Sequence, residues 1–374
     1  MSKTLRLGFI GGSIKSAVGN VHRIASQMDD RWELVAGCFS KDKKINKETA
    51  EIYKVEKDRV YNDWKYFLMQ EKDNLDAVSI LTPTNMHYEM VMYALSLGYA
   101  VICEKALSSS YRQAIDISNF VEKNNSFLVV TYNYTGYPML RELREMIKKD
   151  ILGNIYQIII EMPQEGFIRL NSDGEAIIPQ DWRLIDDEIP TISLDLGTHL
   201  HNIVYFLCGE KPIEVVSDET TYGNFKQIID NVMCIVRYSG NIRCQMWYSK
   251  SALGNRNGLK VRVFGEKGGA EWFQMEPEQL KVCDVYGNYR IIDRASKVCI
   301  ANQLRYNRFK SGHPAGFIEA YANHYYDIAD SLIEYNEKGK IESPFVFDVF
   351  QATEGLKLFQ SIRESSKENK WIKI

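Results

Sequence analysis

Asp195 and His199 stand four residues apart in SLDLGTHLHNIVYFLCG. If residues 195–207 are helical, Asp195, His199, Asn202 and Phe206 share one stripe, and Leu196, Leu200, Ile203 and Leu207 form the neighbouring apolar stripe. An imidazole with a carboxylate one turn away suits proton transfer near neutral pH. A core-edge histidine satisfied by Asp195 is the plainer alternative. His201 points elsewhere around the helix, which argues against a metal set of Asp195, His199 and His201. In ICEKALS, Glu104 and Lys105 end an apolar strand. A lysine there can donate to a substrate oxygen, and its charge favours the alkoxide that builds up as hydride leaves carbon. The alternative is a surface lysine at a strand end.

A nucleotide could be held elsewhere in the chain. GFIGGSIKSAVGNVH, residues 8–22, follows a short apolar run and leads into Val21, Ile24, Ala25 and Met28 at helical spacing. That is the strand–loop–helix order a dinucleotide loop requires. Gly11 can make the tight turn, and backbone N–H groups at the helix start, aided by the dipole, can face a pyrophosphate. Gly12 and Gly19 allow further close approach. Ser13 stands where the second fingerprint glycine falls, and the loop is longer than the minimal one, but a hydroxyl can itself donate to a phosphate. Gly11, Gly12, Ser13 and Ile14 are therefore the candidate phosphate-facing residues; a Gly-rich turn closing a βα unit is the alternative.

The next strand, ELVAGCF, ends in Ser40 and Lys41, where an acid usually holds the ribose hydroxyls. A Ser–Lys pair suits a 2′-phosphate, Asp42 can still reach a ribose, and a solvated turn is as good a reading. DAVSIL is followed by Thr82, Pro83, Thr84 and Asn85, with His87 close by. Proline cannot join a central ladder, so this segment lies beyond the strand end, on the ligand side of the sheet. Thr84 or Asn85 could equally cap the following helix. Thr82, Pro83, Asn85, His87, Glu104 and Lys105 complete the candidate cofactor contacts.

Positioning these groups calls for two architectures. Up to about residue 134, short buried strands alternate with helical patterns (86–97, 111–123), which implies a doubly wound parallel sheet of Rossmann type. From residue 135 to 374 the pattern is α+β. A helix over 139–149 precedes NIYQIIIEM, and strands follow at 232–238, 242–248, 259–264, 270–273 and 279–284. Turns at Ser239-Gly240 and Gly268-Gly269 predict hairpins in an open, mostly antiparallel sheet. Helices near 317–335 and 347–366 close the chain, the last a candidate to pack back on the first domain. An α/β protein of two domains fits the 374 residues.

With 45% hydrophobic and 25% charged residues and a net charge of −3, the composition is that of a soluble globular protein, with no basic footprint for nucleic acid. No apolar run reaches the ~18 residues of a membrane span. No signal peptide is evident, and seven scattered cysteines without CxxC spacing read as reduced thiols of a cytoplasmic protein, with no metal expected.

The motifs GFIGGSIKSAVGNVHRIA, TPTNMH, CEKALS, TYNYTGYPM, GNIYQI, DWR, DLGTHLHN and HPAGFIEAYANHYYDIADSL, in this order, resemble the Gfo/Idh/MocA family of sugar and inositol dehydrogenases. The resemblance implies NAD or NADP chemistry, NAD somewhat favoured, at a secondary hydroxyl of a sugar, sugar nucleotide or cyclitol. It places the family's lysine on Lys105 and its Asp–His pair on Asp195 and His199. His199 would take the hydroxyl proton, Asp195 would steady the imidazolium, and Lys105 would polarise the same oxygen. Tyr134, Trp182, Arg183 and His199 fall at substrate-pocket positions. Ala106 replaces the proline that usually follows the lysine, which speaks against a cis-proline bend there. The resemblance also implies a homodimer or homotetramer. The alternatives are a glycosidase-like enzyme using bound NAD transiently, and a cofactor-binding regulator without catalysis. The acids of 163–190 (Glu165, Asp173, Glu175, Asp181, Asp186, Asp187, Glu188) weigh mildly against a highly anionic substrate.

Overall fold

The computed structural model describes residues 4–374, which form two compact units. One comprises the chain through Gly136 together with Phe317–Thr353; the other comprises Tyr137–Gly316 together with Glu354–Ile374.

In the first unit, β1 (Leu5–Gly11), β2 (Trp32–Cys38), β3 (Ala77–Leu81), β4 (Val101–Glu104) and β5 (Leu128–Thr131) run parallel in the order 2-1-3-4-5. Every residue of β3, β4 and β5 is buried, as strands covered on both faces require. Helices α1 (Gly19–Gln27), α2 (Lys43–Tyr53), α3 (Trp64–Gln70), α4 (His87–Ser96) and α5 (Tyr111–Asn124) connect them. A two-residue antiparallel strand, Phe347–Asp348, extends the sheet beyond β5.

The long helix Phe317–Lys338 belongs to this unit and lies against α1. Its Tyr321, Tyr325, Ile328 and Leu332 recur at helical spacing and pack into the core with Leu5, Leu7, Phe9 and Trp32. The indole N–H of Trp32 donates to the Tyr325 carbonyl at 2.9 Å. The first unit thus draws on chain far beyond the boundary expected near 134. An apolar stripe shows that a helix is covered, not which sheet covers it.

In the second unit, β6 (Ile155–Pro163), β7 (Pro212–Thr220), β8 (Asn231–Tyr238), β9 (Arg243–Ser249), β10 (Lys260–Gly265), β11 (Gly268–Phe273), β12 (Leu280–Asp284) and β13 (Tyr289–Ile292) form one sheet with Ile372–Lys373. Its order is 13-12-11-10-6-9-8-7, then Ile372–Lys373, and it is antiparallel except where β6 pairs with β9. Helices α6 (Pro138–Lys148) and α7 (Thr198–Cys208) pack on it. Along β8, Val232, Cys234 and Val236 face the core, while Met233 and Ile235 are exposed.

The hairpin turn at Ser239–Asn241 is as expected, but Gly268 and Gly269 are paired strand residues, and Glu266–Lys267 make that turn. A Cβ on Gly268 would sit 2.4 Å from the Cys283 carbonyl, so this glycine serves a close strand approach. Strands β7 and β13 were not anticipated. Glu214, Asp218 and Glu219 interrupt the apolar pattern of β7, and β13 is largely exposed.

All seven cysteines are unbridged, and burial pushes the Cys38 thiol up to about 11. Among the described residues, no helix is long and apolar enough to cross a membrane.

Candidate functional site

In the first unit the strand order reverses between β1 and β3, and such a switch point opens a crevice at the strand carboxyl ends. The residues there are Gly11, Gly12, Leu81 and Thr82. Gly11 and Gly12 have φ of +79° and +69°, in the region that favours glycine. A Cβ on Gly19 would lie 2.0 Å from the Gly12 carbonyl oxygen, so α1 starts pressed against the loop. The Tyr53 hydroxyl donates to that same carbonyl at 3.0 Å, and Ile14 N–H donates to Thr49 Oγ1 at 3.2 Å. Ser13 is buried, and its Oγ accepts from Lys15 N–H at 3.3 Å, which leaves the hydroxyl proton able to donate. Its departure from glycine does not disturb the turn. The strand end, left-handed glycines and close-set helix start fit a dinucleotide phosphate.

After β2, Asn46 Oδ1 accepts from Phe39 and Ser40 N–H, and Ser40 Oγ accepts from Asp42 N–H. Asp42 is the N-cap of α2, accepting from Lys44 and Ile45 N–H at 2.8 and 3.1 Å. Its carboxylate is thus engaged in capping, and Lys41 is exposed beside it.

Thr82 and Pro83 lie just past β3, and Asn85 is exposed. Neither Thr84 nor Asn85 caps α4: its N-cap is Met86, with no side-chain hydrogen bond, because the turn Thr84–Met86 runs directly into the helix. His87 is fully buried, with Nδ1 2.7 Å from the Ala106 carbonyl and Nε2 2.8 Å from the Thr82 carbonyl. Burial lowers its pKa against the pull of the two carbonyls. It laces together the segments that follow β3 and β4.

Glu104 and Lys105 lie at the carboxyl end of β4, and the Lys105–Ala106 peptide is cis although no proline is present. The bend expected to be missing is made by alanine. The Glu104 side chain turns into the core. Its Oε1 accepts from Thr131 Oγ1 at 2.5 Å and from Tyr321 at 3.4 Å, and lies 3.0 Å from His22 Nε2. Burial alone would raise its pKa, but the His22 bond and charge, the Lys105 charge and the Thr131 bond hold it at about 2. Tyr134 is buried against Phe317, ring centres 6.1 Å apart.

In the second unit, the helix expected over 195–207 begins as a π-helical stretch, Ser193–Gly197, and continues as α7. Wider π turns break the regular one-turn offset and are frequent at functional sites. Asp195 Oδ2 accepts from both Lys250 Nζ and Arg183 Nη1. Asp195 and Lys250 are buried, with side-chain exposures of 9% and 8%. Lys250 was not anticipated, although it follows the apolar strand β9 as Lys105 follows β4. Arg183, expected to face substrate, is held on Asp195 and stacks over Trp182 at 4.4 Å. His199 is buried on α7.

His201 Nδ1 lies 3.1 Å from the Tyr238 hydroxyl, and burial lowers its pKa to about 4. Among the described residues, no three of His, Cys, Asp and Glu are grouped as metal ligands. Of the loop acids, Asp186 accepts from Thr191 and Ile229 N–H, Glu165 pairs with Arg169 and Arg256, and Glu188 accepts from Gln360. These carboxylates brace the protein itself, so they say little about substrate charge.

Residues 5–132 match the model of the oxidoreductase family with NAD-binding Rossmann fold, and residues 140–271 match the GFO/IDH/MocA C-terminal domain. An oxidoreductase of known crystal structure from Sinorhizobium meliloti is 31% identical, with a TM-score of 0.85 over 99% of this chain and 100% of that one. The chain belongs to the Gfo/Idh/MocA family of oxidoreductases.

Other Gfo/Idh/MocA relatives match along the whole length. An uncharacterized oxidoreductase of Bacillus subtilis, YfiI, is 28% identical over 100% of this chain and 98% of its own. An inositol dehydrogenase homolog from Azotobacter vinelandii, solved with NADH and myo-inositol, is 25% identical, with a TM-score of 0.89 over 100% of this chain and 98% of that one. This chain is accordingly an NAD(P)-binding oxidoreductase of the Gfo/Idh/MocA family.

Proposed function

We propose that the protein oxidises a secondary hydroxyl of a sugar, sugar nucleotide or cyclitol, with NAD or NADP as partner. The observation that carries this reading is the charge clasp on Asp195, whose Oδ2 accepts from Lys250 and Arg183 four residues before His199. Gly11, Gly12, Ser13 and Ile14 would hold the pyrophosphate, and Thr82, Pro83 and Asn85 would border the nicotinamide half. When bound, the nicotinamide supplies the hydride acceptor.

The protein's own groups handle the proton. His199 accepts it from the substrate hydroxyl, and anionic Asp195 offsets the charge His199 gains. Lys105 donates to the substrate oxygen and lowers its pKa. Trp182 and Tyr134 offer apolar walls to a sugar ring, while Arg183 acts through Asp195. The relative solved with NADH and myo-inositol supports a polyol as substrate class. On β8, exposed Met233 and Ile235 support burial of the open sheet face in a homodimer or homotetramer.

The test is a panel of cyclitols, sugars and sugar nucleotides with NAD+ or NADP+, read as the absorbance of the reduced nicotinamide that forms. Turnover of one class, abolished by Lys105→Met and by His199→Gln, is the expected outcome. Wild-type turnover by either variant defeats the mechanism. Light scattering of the double variant Met233→Glu/Ile235→Glu against wild type reads the assembly.

A further inference from the structure

His22 sits in the first turn of α1, the helix that opens on the glycine loop, and its side chain is completely buried. Nε2 lies 3.0 Å from Glu104 Oε1, and Nδ1 lies 2.7 Å from the Tyr325 hydroxyl. An ionised carboxylate can only accept, so the proton of this contact resides on Nε2. Tyr325 continues the chain of contacts to Ser79 Oγ at 3.3 Å, and Thr131 donates to the same oxygen of Glu104 at 2.5 Å. One buried ring therefore joins the nucleotide-loop helix, the long helix Phe317–Lys338 and the end of β4.

Packing alone does not call for this arrangement. Apolar side chains of the same volume would stabilise a core as well as a buried ion pair, or better. What the arrangement specifies is direction. Glu104 is the last residue of β4, and successive strand residues point to opposite sides, so holding the Glu104 carboxylate inward fixes the strand end from which Lys105 projects.

We infer that His22 is a positioning residue, whose Nε2–H bond to Glu104 sets the placement of Lys105 and ties it to the nucleotide-loop helix. This rests on the role proposed for Lys105. The buried and strongly acidic Glu104 is consistent with a donor held permanently against it.

Two substitutions separate the bonds of the ring. In His22→Gln the amide nitrogen reaches the place of Nε2 and keeps the bond to Glu104. In His22→Asn the amide reaches only the place of Nδ1 and keeps the contact with Tyr325. His22→Asn is expected to lower kcat about tenfold, the worth of one charge-assisted hydrogen bond, with KM for the nucleotide changed less than about twofold. His22→Gln is expected to recover most of that loss, at a similar melting temperature. Equal kcat in the two variants, or equal losses accompanied by equal melting, overturns the inference.

A second readout needs no turnover. Lysines carrying 13C-methyl groups are followed by NMR, and the Lys105 resonance is assigned with Lys105→Arg. It should move in His22→Asn and stay in His22→Gln; a resonance in the same place in both overturns the inference. If the wild-type protein turns over nothing in the polyol panel, the proposed function fails, and the resonance alone decides the role of His22.

Discussion

Lys250 Nζ and Asp195 Oδ2 form a buried ion pair across 55 residues of sequence, completed by Arg183 on the same oxygen. Both donors are cations, and they meet the carboxylate where little water reaches it, so removing either leaves a buried charge less well compensated.

Lys250→Met removes one of the two cations from which buried Asp195 Oδ2 accepts. Breaking one side of a buried pair costs about 3 kcal/mol. Urea unfolding should show a loss of that order, and Lys250→Met combined with Asp195→Asn should lose clearly less than the sum of the single variants. Additive losses would mean that the pair is not coupled. Turnover of Lys250→Met should also fall, by about tenfold or more.

Gly19→Ala tests the nucleotide loop. The added Cβ would meet the Gly12 carbonyl at 2.0 Å, and backbone cannot yield there as a flexible side chain could. NADH affinity, followed by energy transfer from tryptophan, should drop by about tenfold or more, with a stability loss of about 1–3 kcal/mol. Wild-type affinity would show that the loop does not hold the cofactor.

Lys41→Ala addresses cofactor choice. Asp42 caps α2, so Lys41 is the charged side chain of this turn best suited to a 2′-phosphate. An exposed ion pair contributes about 0.2–1 kcal/mol. NADPH affinity should therefore weaken by a factor of about 1.4 to 5 while NADH affinity holds. Equal effects on both would assign the turn no part in discriminating them.

Glu104→Gln bears on acid stability. The folded-state pKa of Glu104, about 2, lies below its ordinary 4.5, so its ionised form stabilises the fold above pH 4.5. That contribution is lost as the pH falls from 4.5 through about 2. The wild-type advantage over Glu104→Gln, a few kcal/mol near neutrality by linkage, should shrink across this window in urea unfolding at stepped pH. A constant difference down to pH 2 would contradict the assigned shift.

The parallel sheet was legible because each βα unit is a local pattern: an apolar run, a turn residue, then helical spacing. Lys105 was legible because it closes such a run. Met86 as the α4 cap, the cis bond at Ala106 and the pairing of Gly268 were not, because each depends on what the neighbouring chain presents. Lys250 carried the same signal as Lys105, but nothing near it in sequence pointed to Asp195.

The sequence by itself determined the two architectures, the glycine loop at the end of β1 and the place of Lys105 at the end of β4, because these follow from spacing along a few turns of chain. Only the tertiary structure decided the partners. His22 meets Glu104 across 82 residues and Tyr325 across 303, and Asp195 meets Lys250 across 55. Which polar groups share a buried site is set by how strands and helices stack. A buried charge must then find its counterpart wherever that stacking brings one within reach.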